Sequence, residues 1–283
     1  MPEWHKICTI FSEKLKHDHV AMPVAVRIDG WVQPCRDRRI QGHHLHGAFF
    51  RWLRAVAPDL ARRWHARKDK PFTISPLFLA PDQERAVWRW TVFTDVSEEE
   101  NFCRLLWEHL LQTEFLIGTC RWVPYRIDWS RSRWAETRSW YEFCTDLPMS
   151  QEVAIILKSP FAVRDGNIDR LMPTPRLLFI GYYRTFHQSA PPSICAKMAD
   201  PRPWLDRLVV RRFRLQTVAY PIYDRTVMGT VGWLRIRIPD DVPEPVRASL
   251  WILTRWAVFR GTGRKTPYGM GMTLTNGWKC PDV

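Results

Sequence analysis

Apolar positions along this chain recur with two periods, and the order in which those periods alternate predicts the fold. Pro23-Val24-Ala25-Val26-Arg27-Ile28 reads as a strand. Leu45, Phe49, Trp52, Leu53 and Val56 then fall at the three- and four-residue spacing of one buried helical face. Pro58 interrupts that face, and Asp59 to Trp64 can form a second helical piece turning back at the break. Extended segments are expected at Phe72 to Leu79 and Ala86 to Thr94, where Val, Trp and Phe dominate. Ser97 precedes three glutamates, with Glu100 at the capping-box spacing, and Phe102, Leu105, Leu106, His109 and Leu110 carry the helix onward. Thr119 to Trp129 closes the series as a strand. Strand, helix, strand, strand, helix, strand is the ferredoxin-like order.

The order then restarts. After a polar, charged and aromatic connection at 131–150, strands are expected at Val153 to Lys158, Arg207 to Ala219 and Thr230 to Ile238. A helix bearing Leu177, Leu178, Ile180 and Gly181 lies between the first two, and Ile180 to Asp206, rich in proline, reads as an inserted loop. Pro243 and Pro245 open a last helix through Val246, Leu250, Leu253 and Phe259, and Met270 to Thr275 is the closing strand. The expectation is an α+β chain of two tandem ferredoxin-like domains, 1–130 and 151–283.

Charge narrows the partner. Lys and Arg number 42 against 29 Asp and Glu, a formal charge of +13, which suits a polyanion such as nucleic acid. No apolar run is long enough to span a bilayer and the first residues lack a signal peptide's pattern, so no membrane partner and a cytoplasmic location are expected. Seven scattered cysteines without a C-x-x-C pair indicate neither a disulfide framework nor a zinc site, and most read as buried reduced thiols. Behind the last helix, Gly261-Thr262-Gly263-Arg264-Lys265-Thr266-Pro267-Tyr268 runs into Gly269-Met270-Gly271: four glycines in eleven residues, with two adjacent cations. Such a loop can meet phosphate. A P-loop needs glycine where Arg264 stands, and a dinucleotide fingerprint needs it where Thr266 stands.

With these segments in order, the chain resembles the CRISPR-associated repeat-processing endoribonucleases, the Cas-six family of the repeat-associated RNA-binding superfamily. The resemblance is carried by Leu45-His46-Gly47-Ala48-Phe49-Phe50, Leu60 to His65, Lys70-Pro71-Phe72-Thr73-Ile74-Ser75, Leu157-Lys158-Ser159-Pro160-Phe161 with Leu171-Met172-Pro173-Thr174-Pro175, Val227-Met228-Gly229-Thr230-Val231-Gly232, and the glycine-rich loop through Gly271. It implies metal-independent and cofactor-free cleavage of precursor repeat RNA, in which the 2′-OH attacks the adjacent phosphorus, the 5′-oxygen leaves and a 2′,3′-cyclic phosphate remains. Precursor and mature guide RNA, subunits of a CRISPR effector complex and a second copy of the chain are the partners it implies.

On that resemblance His65 matches the family's histidine, as proton donor to the leaving oxygen, and Lys70 its lysine, offsetting charge on the phosphorane. The family's helix tyrosine falls at Phe50, which has no proton to give. His43, His44 and His46, at a helix start where phosphate can bind, are the competing groups. A straight helix from His43 to His65 would span about 30 Å, so one site can use both ends only through a reversal at Pro58. RNA contacts are expected from Gly261, Gly263, Arg264, Lys265, Gly269 and Gly271, from the basic run Arg36, Arg38 and Arg39, and from Arg207, Arg211, Arg212 and Arg214 on a strand. Two other readings share the fold and charge: a non-catalytic guide-RNA-binding subunit of an effector complex, and a basic RNA-binding protein outside the CRISPR systems.

Overall fold

The computed structural model describes residues 23–33, 40–94, 96–129 and 134–275. Its first half contains β1 (Val24–Val32), α1 (Gly42–Val56), α2 (Pro58–Ala66), β2 (Phe72–Ile74), β3 (Phe78–Leu79), β4 (Arg85–Val92), α3 (Val96–His109), β5 (Phe115–Ile117), β6 (Cys120–Asp128), β7 (Glu136–Thr137) and α4 (Trp140–Cys144). The second contains β8 (Glu152–Phe161), β9 (Val163–Asp165), β10 (Ile168–Arg170), α5 (Pro175–Ser189), α6 (Pro192–Cys195), β11 (Val209–Ile222), β12 (Arg225–Arg237), α7 (Glu244–Arg260) and β13 (Thr273–Thr275).

Alternation along β1 decides how the first sheet packs. Val24, Val26 and Ile28 point to the face covered by α1, α2 and α3, where Phe49, Trp52, Trp64, Trp90 and Phe102 form one core. The sheet order is β2-β4-β1-β6-β5, with β1 antiparallel to both β4 and β6. The second sheet runs β11-β12-β8-β13. Each places its first and third long strands side by side in the middle, which is the ferredoxin-like arrangement; the fold is α+β and built twice. No helix among the described residues is long and apolar enough to cross a membrane.

The expected inserted loop from Ile180 to Asp206 is a correction. α5 continues to Ser189, because Leu178, Phe179, Tyr182 and Phe186 form an unbroken buried face against the second core. Pro192 then starts α6, and the segment Arg202–Arg207 is a short 3-10 helix. Proline in this stretch opens short helices rather than marking a loop. Cysteine use also differs in one place: Cys120 is disulfide-bonded, whereas Cys103, Cys144 and Cys195 are free thiols. Nothing in the cysteine spacing signals that bond.

The two halves meet at the C-terminus of α7. Its last carbonyls accept from the first sheet: Thr73 Oγ1 and Thr91 Oγ1 donate to Phe259 O, at 3.2 and 2.8 Å, and Arg89 donates to Val258 O at 2.9 Å. Burial holds the Arg89 guanidinium down at about 10, with Glu136 opposing. A cation at a helix C-terminus completes the dipole there, so the strand face of one half anchors the helix of the other. The glycine-rich loop follows immediately.

Candidate RNA-cleavage site

α1 ends where Pro58 cannot donate a backbone N–H, and Ala57 takes the extended turn (φ −151°, ψ 76°) that lets α2 fold back. The reversal works: the His65 ring, at the end of α2, lies edge-on to Phe50 at 5.1 Å and 6.5 Å from His46. Buried Glu98 on α3 fixes this geometry by accepting from Arg63, Trp64 and Thr94 and pairing with Arg67. Burial pushes that carboxyl up, but the three hydrogen bonds and the Arg67 charge hold it below its ordinary value. Arg63 and Arg67, which flank His65 in sequence, are therefore already committed to a carboxylate.

Lys70 faces His65 in an unexpected way. Its ammonium donates to the backbone carbonyls of His65 and Arg67, closing the C-terminus of α2. Burial lowers its pKa.

The three histidines of α1 have three different environments. His46 is buried, donates from Nδ1 to the carbonyl of Pro267 at 3.0 Å and stacks on Tyr268 at 4.2 Å. Burial lowers its pKa to about 4, against the Pro267 hydrogen bond and with the charges of His65, Lys70 and Lys265 adding to the effect, so it is neutral at pH 7. His44 Nδ1 accepts the N–H of Gln41 at 3.2 Å, a helix cap. His43, half-buried, accepts the N–H of Tyr223 on Nδ1 at 2.8 Å. Its ring stacks on Tyr223 at 4.6 Å and lies 4.1 Å from His44.

Tyr223 sits at the tip of the β11–β12 hairpin with φ 55°, and its ring meets Tyr268 at 6.2 Å. Rings thus run continuously from His65 through His46, Tyr268 and Tyr223 to His43 and His44, crossing from one half of the molecule to the other. Lys265, in the left-handed region at φ 59°, places its ammonium 5.0 Å over the Tyr268 ring. Burial lowers the Lys265 pKa, with Arg264 adding, while burial and the contact with Tyr223 push Tyr268 up to about 12. Neither tyrosine was among the candidate residues of the sequence. Tyr268 was visible within the glycine-rich segment; Tyr223 had no signal beyond its place between two strands.

The glycine-rich loop is built for close packing. A Cβ on Gly263 would stand 2.3 Å from Ala162 O, on Gly271 2.0 Å from Thr262 O, and on Gly269 2.4 Å from Tyr220 Oη, with Pro76 and Leu45 of the first half beside it. Gly261, Gly263, Gly269 and Gly271 all have positive φ. Its N–H groups are largely spent on protein: Thr262 donates to Gly271, Arg264 to Ala162, Met270 to Lys265 and Gly271 to Pro160. Phosphate contacts here fall to side chains rather than a nest of bare amides. Arg264 pairs with Asp169 at 2.5 Å, which leaves Lys265 as the loop's cation toward the rings.

The remaining candidates are scattered. Arg211, Arg212 and Arg214 are exposed on β11, with a register shift between Val210 and Arg212. Arg207 precedes the strand, in the 3-10 helix, and pairs with Asp241. Arg36, Arg38 and Arg39 lie outside the described residues.

The family model "CRISPR-associated endoribonuclease Cas6" matches residues 155–273. The solved structure of Thermus thermophilus Cas6 is similar at 25% identity and a TM-score of 0.70, covering 90% of this chain and 98% of that one. The match to the Cas6 endoribonuclease family lies in the second half of this chain, and the chain shares the fold of the solved Cas6 structures. A Cas6 product complex is similar at TM-score 0.73 and 24% identity, covering 90% of this chain and all of that one, and a Pyrococcus furiosus Cas6-related protein shares the fold at TM-score 0.52 and 13% identity, covering 89% and 98%. No curated protein matches the sequence. Within the Cas6 family frame, Phe50 stands where the resemblance expects a tyrosine, and the phenols near the histidines come instead from the second half of the chain.

Proposed function

We propose that this protein cleaves CRISPR precursor RNA within its repeats to release guide RNAs, by attack of the substrate's own 2′-OH, leaving a 2′,3′-cyclic phosphate. The observation that carries the reading is the junction of His43 and His44 with Tyr223, Tyr268 and Lys265 at the start of α1. The first turn of this fifteen-residue helix holds no acidic residue, so no carboxylate there opposes a phosphate near its positive end. Because His43 and His44 each accept a backbone N–H on Nδ1, each ring presents Nε2 as its hydrogen-bond donor.

In this mechanism the 2′-OH gives its proton to solvent as it bonds to phosphorus, the Nε2–H groups of His43 and His44 donate hydrogen bonds to the leaving 5′-oxygen and to a phosphate oxygen, and the departing 5′-oxygen takes its proton from solvent. Lys265 and the α1 terminus offset the charge gathered on the phosphorane. His46 ties the glycine-rich loop to α1 through Pro267 and so positions Tyr268. His65 and Lys70 lie at the far end of the row of rings and contact the RNA on either side of the cut. The reading treats 1–130 and 151–283 as two domains that each contribute half of the centre, joined by 131–150. Repeat RNA and its product are the partners; effector subunits and a second copy of the chain are compatible with the same surface.

The test is cleavage of labelled repeat RNA from the host array in EDTA, beside the same RNA with a 2′-deoxy nucleotide before the cut. Cleavage of the first and binding alone of the second is expected. Binding of both without cleavage would favour a guide-holding subunit and overturn the catalytic reading.

A further inference from the structure

Beside the glycine-rich loop lies a cavity of about 450 Å³ whose charge is strongly one-sided. Lys70, Arg164, Arg184, Arg260, Arg264 and Lys265 line it, against the carboxylate of Asp69. Arg164 and Arg264 share Asp169, and Lys70 is held by carbonyls. Arg184, Arg260 and Lys265 form no ion pair among the described residues.

Arg260 is the telling member. It is the last residue of α7 and half-buried, donating to Thr266 Oγ1 at 2.8 Å and standing over the Phe93 ring at 5.5 Å. Burial lowers its pKa, and Arg184 adds to that while Asp69 opposes it. A half-buried guanidinium with a hydroxyl and a ring for company, but no ion-paired carboxylate among the described residues, is placed to be completed by an anion. The opposite wall is different: Leu177, Ile180 and Gly181 on α5 present an apolar surface, and a Cβ built on Gly181 meets no atom within 4 Å.

A cationic floor beside an apolar wall suits a phosphate joined to a base. We propose that this cavity holds one nucleotide of the single-stranded part of the RNA, its phosphate toward Arg184, Arg260 and Lys265 and its base against Leu177, Ile180 and Gly181. The inference rests on the cleavage reading above and adds to it a holding site apart from the reacting atoms. Because Pro267 lines this cavity and also bonds His46, a nucleotide seated here lies one loop's thickness from the proposed centre. The holding site then sets which phosphate reaches the centre.

Two variants probe it without touching the proposed cleavage centre. Arg184 is exposed, so Arg184→Glu leaves the fold intact, and Gly181→Phe fills open space in a helix interior where glycine is itself the poorer helix former. Binding is measured for 2′-deoxy repeat RNA with its single-stranded flanks, for the same RNA trimmed to the nucleotides around the cut, and for adenosine monophosphate as a free nucleotide. Both variants are expected to bind flanked RNA at least tenfold more weakly, with Arg184→Glu also flattening the salt dependence by roughly one phosphate's worth. Trimmed repeat RNA, unblocked, should be cleaved at the wild-type rate. Wild-type binding of flanked RNA by both variants would overturn the inference. Loss of adenosine monophosphate binding with RNA binding unchanged would overturn the assignment to RNA. Failure of the unaltered protein to cleave any repeat RNA would strike the cleavage reading instead, and the two failures are distinguishable.

Discussion

The two halves of this molecule repeat one topology yet differ in what they place at their junction. In the first half the helix after the opening strand is broken at Ala57–Pro58 into α1 and α2, and the break folds four histidines of those two helices toward one side. In the second half the corresponding helix, α5, runs fifteen residues without a break, and its one histidine, His187, turns back to the Tyr183 carbonyl of its own helix. What the second half brings is a tyrosine at a hairpin tip, a second tyrosine and a lysine on a tightly packed loop, and a cavity floored with arginine. One half supplies imidazoles; the other supplies phenol and positive charge. A centre assembled across two copies of a fold needs the copies to be held in a fixed relation, and the buried contacts of Arg89, Thr73 and Thr91 with the end of α7 provide it.

The sharpest way to break this comparison is to remove His43. His43→Ala should slow repeat cleavage by about a hundred- to a thousandfold, the usual range for a lost hydrogen-bond donor to the reacting oxygens, with RNA binding retained. Lys70→Met should slow it no more than about tenfold, because that ammonium closes a helix end. The opposite order, measured under single-turnover conditions, would move the centre to His65 and Lys70 and confine it to the first half.

Next in size is the loop that joins the halves. Gly271→Ala puts a Cβ 2.0 Å from a backbone oxygen at φ 70° and should cost on the order of 4 kcal/mol in denaturant unfolding. A cost below about 1 kcal/mol would mean the loop yields, and the tight junction is not what orders Tyr268.

The smallest effect is a pH dependence. His46 has its folded pKa lowered from 6.5 to about 4, so between these values the unfolded chain binds more protons than the folded one. Stability from this group is complete above about pH 6.5 and declines as pH falls toward 4, by up to about 3 kcal/mol. His46→Phe should flatten that segment of the stability curve. An unchanged acid slope in the variant would show that His46 titrates normally and does not bind the Pro267 carbonyl while neutral.

Much of the scaffold is legible in the chain because burial periods are local. Leu45, Phe49, Trp52 and Leu53 specify α1, Pro58 ends it, and Val24, Val26 and Ile28 alternate as β1 does. Where the reading failed, between Ile180 and Asp206, proline and polar residues hid a helical face whose apolar members Tyr182 and Phe186 are spaced correctly but flanked by His187, Arg184 and Gly181. The candidate site was legible in part. Histidine and glycine-loop cation were visible as residue types, and the reversal that brings His65 back onto α1 follows from one proline.

What the sequence determined by itself is the repeated α+β order, the excess of positive charge and the short list of proton-bearing side chains, since each depends on neighbours within a few residues or on simple sums. Tertiary structure alone decided which of those side chains meet. Tyr223 and His43 are 180 residues apart and Pro267 and His46 are 221 apart, and no local pattern encodes such a pairing. It also decided that the glycine loop spends its amides on its own packing, and that Arg260 lies half-buried beside a cavity. Those outcomes depend on how two hydrophobic cores press against each other, and on the cost of leaving a polar group unpaired where they do.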